Sequence, residues 1–474
     1  MRQWKITEVL NKENLDWTIE KMRMFPLHRE AGWKDHSEHE PFPFFFYCLV
    51  FSLIVFVWES YLNNRQLQRF NRKDHKTPLG IERTTFEKSL SYGADKLSFE
   101  MFQDTFMFAW STILLLIGIL PYAWEKTEEI CVFFKLINAS SSPFFVEWMR
   151  TAALIILFSL HDMIIGLPFS LYRTFSIEER HGFNNETLGL FLKDKVLTLF
   201  LTSVIATPII GGVIWLSNTC GANFPGYVFA FLFCISLLMM SIYPTFIAPL
   251  FNSYEEMKDG ELKTSIYKLA ATCNFPLTQL FTVDGSRRSN HSNAFFYGFG
   301  KQKRIVLYDT LITQCSQPEL LAILGHEIGH WALHHTLQGF VISQVYTFSL
   351  FLSFSYVQSS ASLFSAFGFK FAESKSPLFV GLILFMQTYW GPVDKFLSFV
   401  LNMNSRYNEF AADKYSQGLG LGKDLIQGLI KISIKNLGNL VPDPLYSMYH
   451  FSHPPVIERV AALSEEAEAV KKTK

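Results

Sequence analysis

The sequence predicts a mainly α-helical membrane protein that carries a small β-sheet in one of its non-membrane parts. Three observations lead there. Of 474 residues, 49% are hydrophobic and only 18% charged, with 48 Phe, which is too little polar surface to cover a water-soluble globule of this length. Apolar runs long enough to cross a bilayer, about 20 residues each, recur along the chain. Between two of them lies a polar stretch holding short apolar runs separated by glycine and lysine, the pattern of strands and a hairpin.

Residues 1–42 are polar and of mixed charge, without the short apolar core and small-residue cleavage site of a removable signal peptide. Membrane entry then rests on the first span. Seven candidate spans follow, at roughly 43–62, 105–124, 151–171, 195–216, 226–250, 339–359 and 378–401. The first, from Pro43 through the Phe44–Phe46 run, and the fifth, from Tyr227 to Leu250, are the cleanest. Asp394 and Lys395 near the end of the seventh fit interfacial or internally paired groups, and His161 and Asp162 in the third fit side chains turned to the protein interior. The chain thus divides into a polar segment (1–42), spans one to five (43–250), a cytosolic part (251–338), spans six and seven (339–401) and a cytosolic C-terminal part (402–474).

Lys plus Arg and Asp plus Glu both number 42, a balance that gives no reason to expect a nucleic-acid partner. Basic residues crowd the connections after spans one, three, five and seven, Arg65, Arg69, Arg72 and Lys73 among them, and the intervening connections are nearly bare. That alternation places the C-terminus in the cytosol and the N-terminus on the other side. Lys471 and Lys472 stand fourth and third from the end, fitting a dilysine retrieval signal and a frayed basic tail equally well. Asn138-Ala139-Ser140 is a glycosylation pattern on the luminal side, and Cys131 and Cys220 fall there too, their pairing open. The six cysteines include no C-x-x-C pair, against both a thiolate zinc site and a disulfide framework.

The stretch after span five reads as a polar helical segment from Tyr254 to Cys273, then strands near Leu280–Val283, Ala294–Phe299 and Arg304–Tyr308. Ser316-Gln317-Pro318-Glu319 then opens a helix: an N-cap serine, proline in the first turn and a glutamate three residues on. That helix carries His326-Glu327-Ile328-Gly329-His330. A spacing of four puts both imidazoles on one face, where they can share one zinc ion, and Glu327 stands beside them as a general base. A third ligand leaves one position for water. A third histidine six residues after His330 would extend the motif, but Thr336 is there; His334 and His335 read as helix-surface or supporting groups. Glu409, four residues before Asp413 on a later helix, supplies the carboxylate of a His₂Glu site, and Asp413 can accept the remaining ring N–H of a ligating histidine. Gln317, Glu319 and His334 flank the motif with polar groups, unlike an intramembrane-cleaving enzyme, which sets the motif inside a span.

Several segments together resemble the CAAX prenyl protease 1 family of integral-membrane zinc endopeptidases. These are His326–His330, Glu409 with Asp413, Ile177–Asn184, Arg288–Phe299, Arg304–Thr310 and Tyr449–Pro455, and the resemblance runs from span one to Arg459. It implies seven transmembrane helices forming a barrel around a water-filled chamber, with a gluzincin-like zinc protease domain and one zinc ion per chain. It implies residence in endoplasmic-reticulum or inner nuclear membranes, and removal of the aaX tripeptide from farnesylated CAAX proteins, with a second upstream cut in some members. Asn293 and Ala294 would lie on an edge strand that pairs with the substrate backbone. His453 and Arg459 match positions that stabilise the transition state or orient the site; read without the resemblance, they are a histidine before a Pro-Pro helix start and a solvated arginine. The chain departs from mammalian members in a short connection between Asp309 and the zinc helix, and in a longer N-terminal segment containing Trp4, Trp17 and Trp33.

Overall fold

A computed structural model of the chain describes residues 43–298, 300–369 and 376–472. The N-terminal segment 1–42 with its three tryptophans, Phe299 and the last residues of the basic tail, Thr473 and Lys474, lie outside the described residues.

The membrane part begins with α1 (Phe44–Asn71), α2 (Arg83–Leu116), α3 (Ile119–Phe133), α4 (Pro143–Tyr172), α5 (Leu188–Cys220) and α6 (Phe224–Ile242). Four helical stretches among the described residues are long and apolar enough to cross a membrane: Phe44–Asn71, Pro143–Glu178, Leu188–Leu250 and His335–Val357. The pair α2 and α3, bent by 67°, makes a fifth if it is one span. The 63 residues of Leu188–Leu250 would reach about 95 Å as one straight helix, some three bilayers. They fold back instead at Gly221–Asn223: the Phe231 ring of α6 occupies the space over Gly212 of α5, leaving 2.6 Å to an added Cβ. The predicted span 105–124 runs through the α2–α3 bend, which the apolar pattern does not reveal. The bend sits at Gly118, where φ is +68°, a conformation that costs glycine little.

Little of these spans is buried by protein, between 11% and 17% of each apolar window. Exposed Ile54, Val57, Phe200 and Val204 present apolar surface outward, as contact with lipid hydrocarbon requires. Where helices do meet, Phe fills the gaps: Phe45 against Phe367, and Phe354 against Phe385. Asp394 and Lys395 are both internally paired, Asp394 accepting from Tyr346 at 2.7 Å and Lys395 reaching Glu59 at 2.7 Å. His161 takes a hydrogen bond from Trp110 at 3.0 Å, while the neighbouring Asp162 side chain is 76% exposed. Cys131 and Cys220 are both free.

The protease part follows: β1 (Tyr254–Glu256), α7 (Glu261–Thr272), β2 (Leu277–Val283), β3 (Ala294–Tyr297), β4 (Lys303–Tyr308), α8 (Asp309–Gln314) and α9 (Gln317–Ala332). The sheet order is β1-β2-β4-β3. The expected hairpin is β3 and β4, antiparallel with Phe295 opposite Val306; β2 lies parallel to β4, and β3 is an edge strand. Tyr254 to Glu256, read from sequence as the start of a helix, is instead a strand antiparallel to β2, and α7 begins only after Gly260. Leu280, Ile305 and Leu307 of the sheet pack on Leu320, Leu324 and Ile328 of α9. After α10 (His335–Val357), α11 (Ala361–Ala366) and α12 (Leu378–Phe385), the chain returns through a π-helical turn into α13 (Gly391–Ser416). The seventh candidate span, 378–401, falls in this interrupted run and is not among the stretches apolar enough to cross. The C-terminal part comprises α14 (Gly422–Lys435), α15 (Pro444–His450) and α16 (Val456–Lys472).

Candidate metal centre

The centre is built where α9 crosses α13. Helix α9 starts on a capping box, with Glu319 accepting the Ser316 N–H at 2.7 Å and Pro318 in the first turn, satisfying donors a helix start otherwise leaves open. Lys431 of α14 also donates to Glu319, at 2.7 Å, so the start of the helix is tied to the C-terminal part. Glycines then let α13 close in. A Cβ on Gly329 would lie 3.1 Å from Tyr415 Cβ and 3.2 Å from the Ala412 carbonyl oxygen, and one on Gly325 2.9 Å from Ser416 Oγ.

That approach brings Glu409 onto the histidine face. Ligand atoms of His326, His330 and Glu409 all lie within 4.8 Å of one another. His326 Nε2 and His330 Nε2 are 3.2 Å apart, and Glu409 Oε2 and Oε1 stand 3.6 Å and 3.3 Å from them respectively. Glu409 is 3% exposed, yet its Oε2 has no hydrogen-bond partner. A buried carboxylate oxygen that accepts no hydrogen bond and has only an ion-pair contact, to Arg459 at 3.3 Å, is incompletely compensated, and a cation between it and the two imidazoles would complete that compensation. The donor set, two nitrogens and one carboxylate with a position to spare, fits zinc.

Both imidazoles are held from behind. Asp413 Oδ1 lies 2.9 Å from His326 Nδ1 and accepts its proton, leaving the Nε2 lone pair for a ligand role. His335 Nδ1 is 2.9 Å from His330 Nδ1 and, when neutral with its own proton on Nε2, accepts from it. Arg459 of α16 pairs with Asp413 through Nε at 2.8 Å and reaches Glu409 Oε2 with Nη1 at 3.3 Å. His453, 69% exposed, stands at the rim with Nε2 3.3 Å from Glu409 Oε1. Glu327 sits one residue along α9, half-buried. Asn293 lies just before β3 and Ala294 is its first residue, on a strand with one neighbour.

The electrostatics follow this packing. Burial would raise the Glu409 carboxyl, but the His330 hydrogen bond and the charges of His326, Arg459 and His453 outweigh it and hold it down at about 2. Asp413 is likewise held below its ordinary value against the pull of burial, by Arg459 and His326. Glu327 goes the other way: burial pushes its carboxyl up, more than the neighbouring histidines draw it down. Glu409 and Asp413 are thus held as fixed negative charges, and burial makes Glu327 the stronger proton acceptor of the three.

Comparison with known proteins agrees with this geometry. The family profile "CAAX prenyl protease N-terminal, five membrane helices" matches residues 66–253. "Peptidase family M48" matches 256–467. The CAAX prenyl protease 1 homolog of Arabidopsis thaliana is 40% identical over 427 residues, covering 90% of this chain and 98% of that one. The chain belongs to the CAAX prenyl protease 1 family. The Homo sapiens homolog is 37% identical, over 88% of this chain and 94% of its own. The crystal structure of S. mikatae Ste24p superposes with a TM-score of 0.82 at 35% identity, covering 89% of this chain and 99% of that one. Membership makes this chain a multi-pass membrane metalloprotease, mainly helical with a small mixed sheet. Sequence reasoning left His335 between a surface and a supporting place, and the structure sets it against His330. The sequence singled out Ile177–Asn184 and Arg288–Phe299 only as segments resembling the family; the structure brings them together ahead of β3, where His291 stacks on Phe183 at 4.1 Å and lies 3.5 Å from Glu178 of the α4 extension.

Proposed function

We propose that the chain is a zinc-dependent endopeptidase that removes the C-terminal aaX tripeptide from prenylated CAAX proteins in the endoplasmic-reticulum membrane, with its C-terminus in the cytosol. The observation that carries the reading is the buried Glu409 carboxylate gathered with two imidazoles on one helix face, the ligand atoms of His326, His330 and Glu409 all within 4.8 Å of one another. His326, His330 and Glu409 would hold one zinc ion, which supplies Lewis acidity toward a carbonyl oxygen and a water. Seven spans around a chamber, residence in the continuous inner nuclear membrane and a second upstream cut belong to the same reading, and the relatives' names support the prenylated substrate.

The chain's own groups account for the proton traffic. Glu327 takes a proton from the attacking water and delivers it to the leaving amine as the C–N bond breaks. Its raised affinity for protons suits that exchange. Arg459 is engaged with Asp413 and Glu409, so its part is to hold these carboxylates in place. His453 at the exposed rim, with its Nε2 3.3 Å from Glu409 Oε1, would turn from that contact to donate to the oxyanion that develops on the scissile carbonyl. Asn293 and Ala294 at the free edge of β3 would take the substrate backbone as an added strand.

The test is cleavage of a farnesylated peptide ending in C-a-a-X by purified protein, beside Glu327→Gln, with and without a zinc chelator. Tripeptide release by the zinc-loaded wild type alone is expected, with turnover reduced at least about 10²-fold in Glu327→Gln. No release from folded, zinc-loaded protein overturns the substrate assignment.

A further inference from the structure

Between α5 and α6 lies a cleft of about 710 Å³ that the peptidase chemistry leaves without a role. Ile205, Ile209 and Val213 of α5 face Leu232 and Met239 of α6 across it, and no charged side chain lines it. Phe351 of α10 and Phe379 of α12 close one end. From Thr198 to Val213 the wall runs fifteen residues of helix, about 22 Å. Both walls belong to the stretch Leu188–Leu250, which is long and apolar enough to cross a membrane, a setting that favours a hydrocarbon chain over a polar ligand.

The other end of the cleft, at Thr198 and Phe251, is tied to the protease part. Arg288 donates to the Phe251 carbonyl at 2.5 Å and pairs with Asp194 of α5 at 2.8 Å. The same run continues from Arg288 through Asn293 into β3. A ligand with its tail in the cleft therefore presents its head beside the segment that leads to the candidate substrate strand. At this end Arg288 is paired with Asp194 and Lys195 donates to Ser170, while no charged side chain lines the cleft itself, which suits a hydrocarbon chain; competition with a phospholipid distinguishes an isoprenoid from a lipid tail.

On these grounds, and resting on the reading above, we propose that the α5–α6 cleft seats the isoprenoid chain of the substrate while its peptide lies along β3. The chain length then becomes a specificity determinant read by α5. Ile209 stands about three turns in from Thr198, so a bulky group there shortens the cleft and leaves its entrance intact.

Two experiments decide. First, Ile209→Trp is compared with wild type on peptides of one sequence carrying farnesyl or the shorter geranyl. The variant is expected to raise KM for the farnesyl peptide roughly tenfold and to penalise the geranyl peptide less; equal penalties overturn the proposal. Second, a peptide with a photoreactive farnesyl analogue is irradiated with zinc-loaded Glu327→Gln protein, whose cleft is unaltered even if Ile209→Trp fails to fold. Crosslinks are expected within Leu188–Leu250 and are to persist in excess phosphatidylcholine. Crosslinks confined to other helices, or displacement by the phospholipid, overturn it. If wild type cleaves neither peptide, the proposed activity fails; if wild type cleaves and Ile209→Trp behaves identically, only the cleft assignment fails.

Discussion

A metal-ligating histidine as a rule donates its other ring N–H to a neighbour that fixes its tautomer, and in this chain both neighbours are visible. Asp413 holds His326 at 2.9 Å and His335 holds His330 at 2.9 Å. Asp413→Asn is expected to weaken zinc binding about 10–100-fold, measured by competition with a chromophoric chelator, while Glu409→Ala abolishes it. Zinc retained by Glu409→Ala removes that residue from the ligand set. His326, Glu327 and His330 were legible because their spacing alone defines a helical face, and Asp413 because it stands four residues from Glu409. His335 was not legible. It follows His330 by five residues across a break where His334 adopts φ of +60° and ends α9, and helical periodicity says nothing about what lies beyond such a break. His453 and Arg459 approach Glu409 from distant sequence, and only the family resemblance singled them out.

At the scale of elements, the decisive contact is α9 on α13, and its determinants are absences of side chain. Gly329 lies between the two histidines and offers no ligand atom of its own; its hydrogen allows the Ala412 carbonyl within 3.2 Å of where a Cβ would be. Gly329→Val is expected to push α13 away, costing about 1–3 kcal/mol by overpacking and loosening zinc through Glu409. Thermal unfolding and zinc titration of the variant measure both; unchanged zinc affinity with lowered stability would separate the packing from the site. The start of α9 was readable because caps are local. The strand Tyr254–Glu256 was not, since three residues carry no periodicity and owe their conformation to pairing with Phe281–Val283. The bend at Gly118 was equally hidden: a glycine inside an apolar run looks the same whether the helix continues or turns.

For the whole molecule, the first helix and the C-terminal part are fastened together. Arg65 of α1 meets Asp443 at 2.9 Å, and Asp443 caps α15 by accepting from Leu445 and Tyr446 at 3.1 Å each. Burial would raise the Asp443 carboxyl, but Arg65 and the backbone donors hold it below its ordinary value. A depressed folded-state value stabilises above the unfolded value of about 3.9 and fades as pH falls through the folded one. Asp443→Asn keeps an oxygen for the cap but loses the charge facing Arg65, so it is expected to be less stable than wild type near neutral pH, by about 1 kcal/mol, with the gap closing as pH drops below about 4. A gap that stays constant with pH would assign the effect to something other than this charge. The break between the fourth and fifth apolar runs was legible and is the fold-back at Gly221–Asn223. The number of spans was not: the sequence reads as seven runs, whereas among the described residues four stretches, or five with the bent pair, are long and apolar enough to cross. The crossing of α9 by α13 also has a consequence for how the molecule is born. The two histidines leave the ribosome well before Glu409, and α10 to α12 must be laid down in between. A nascent chain would thus carry two of the three proposed ligands, and the site would be complete only once α13 has been made.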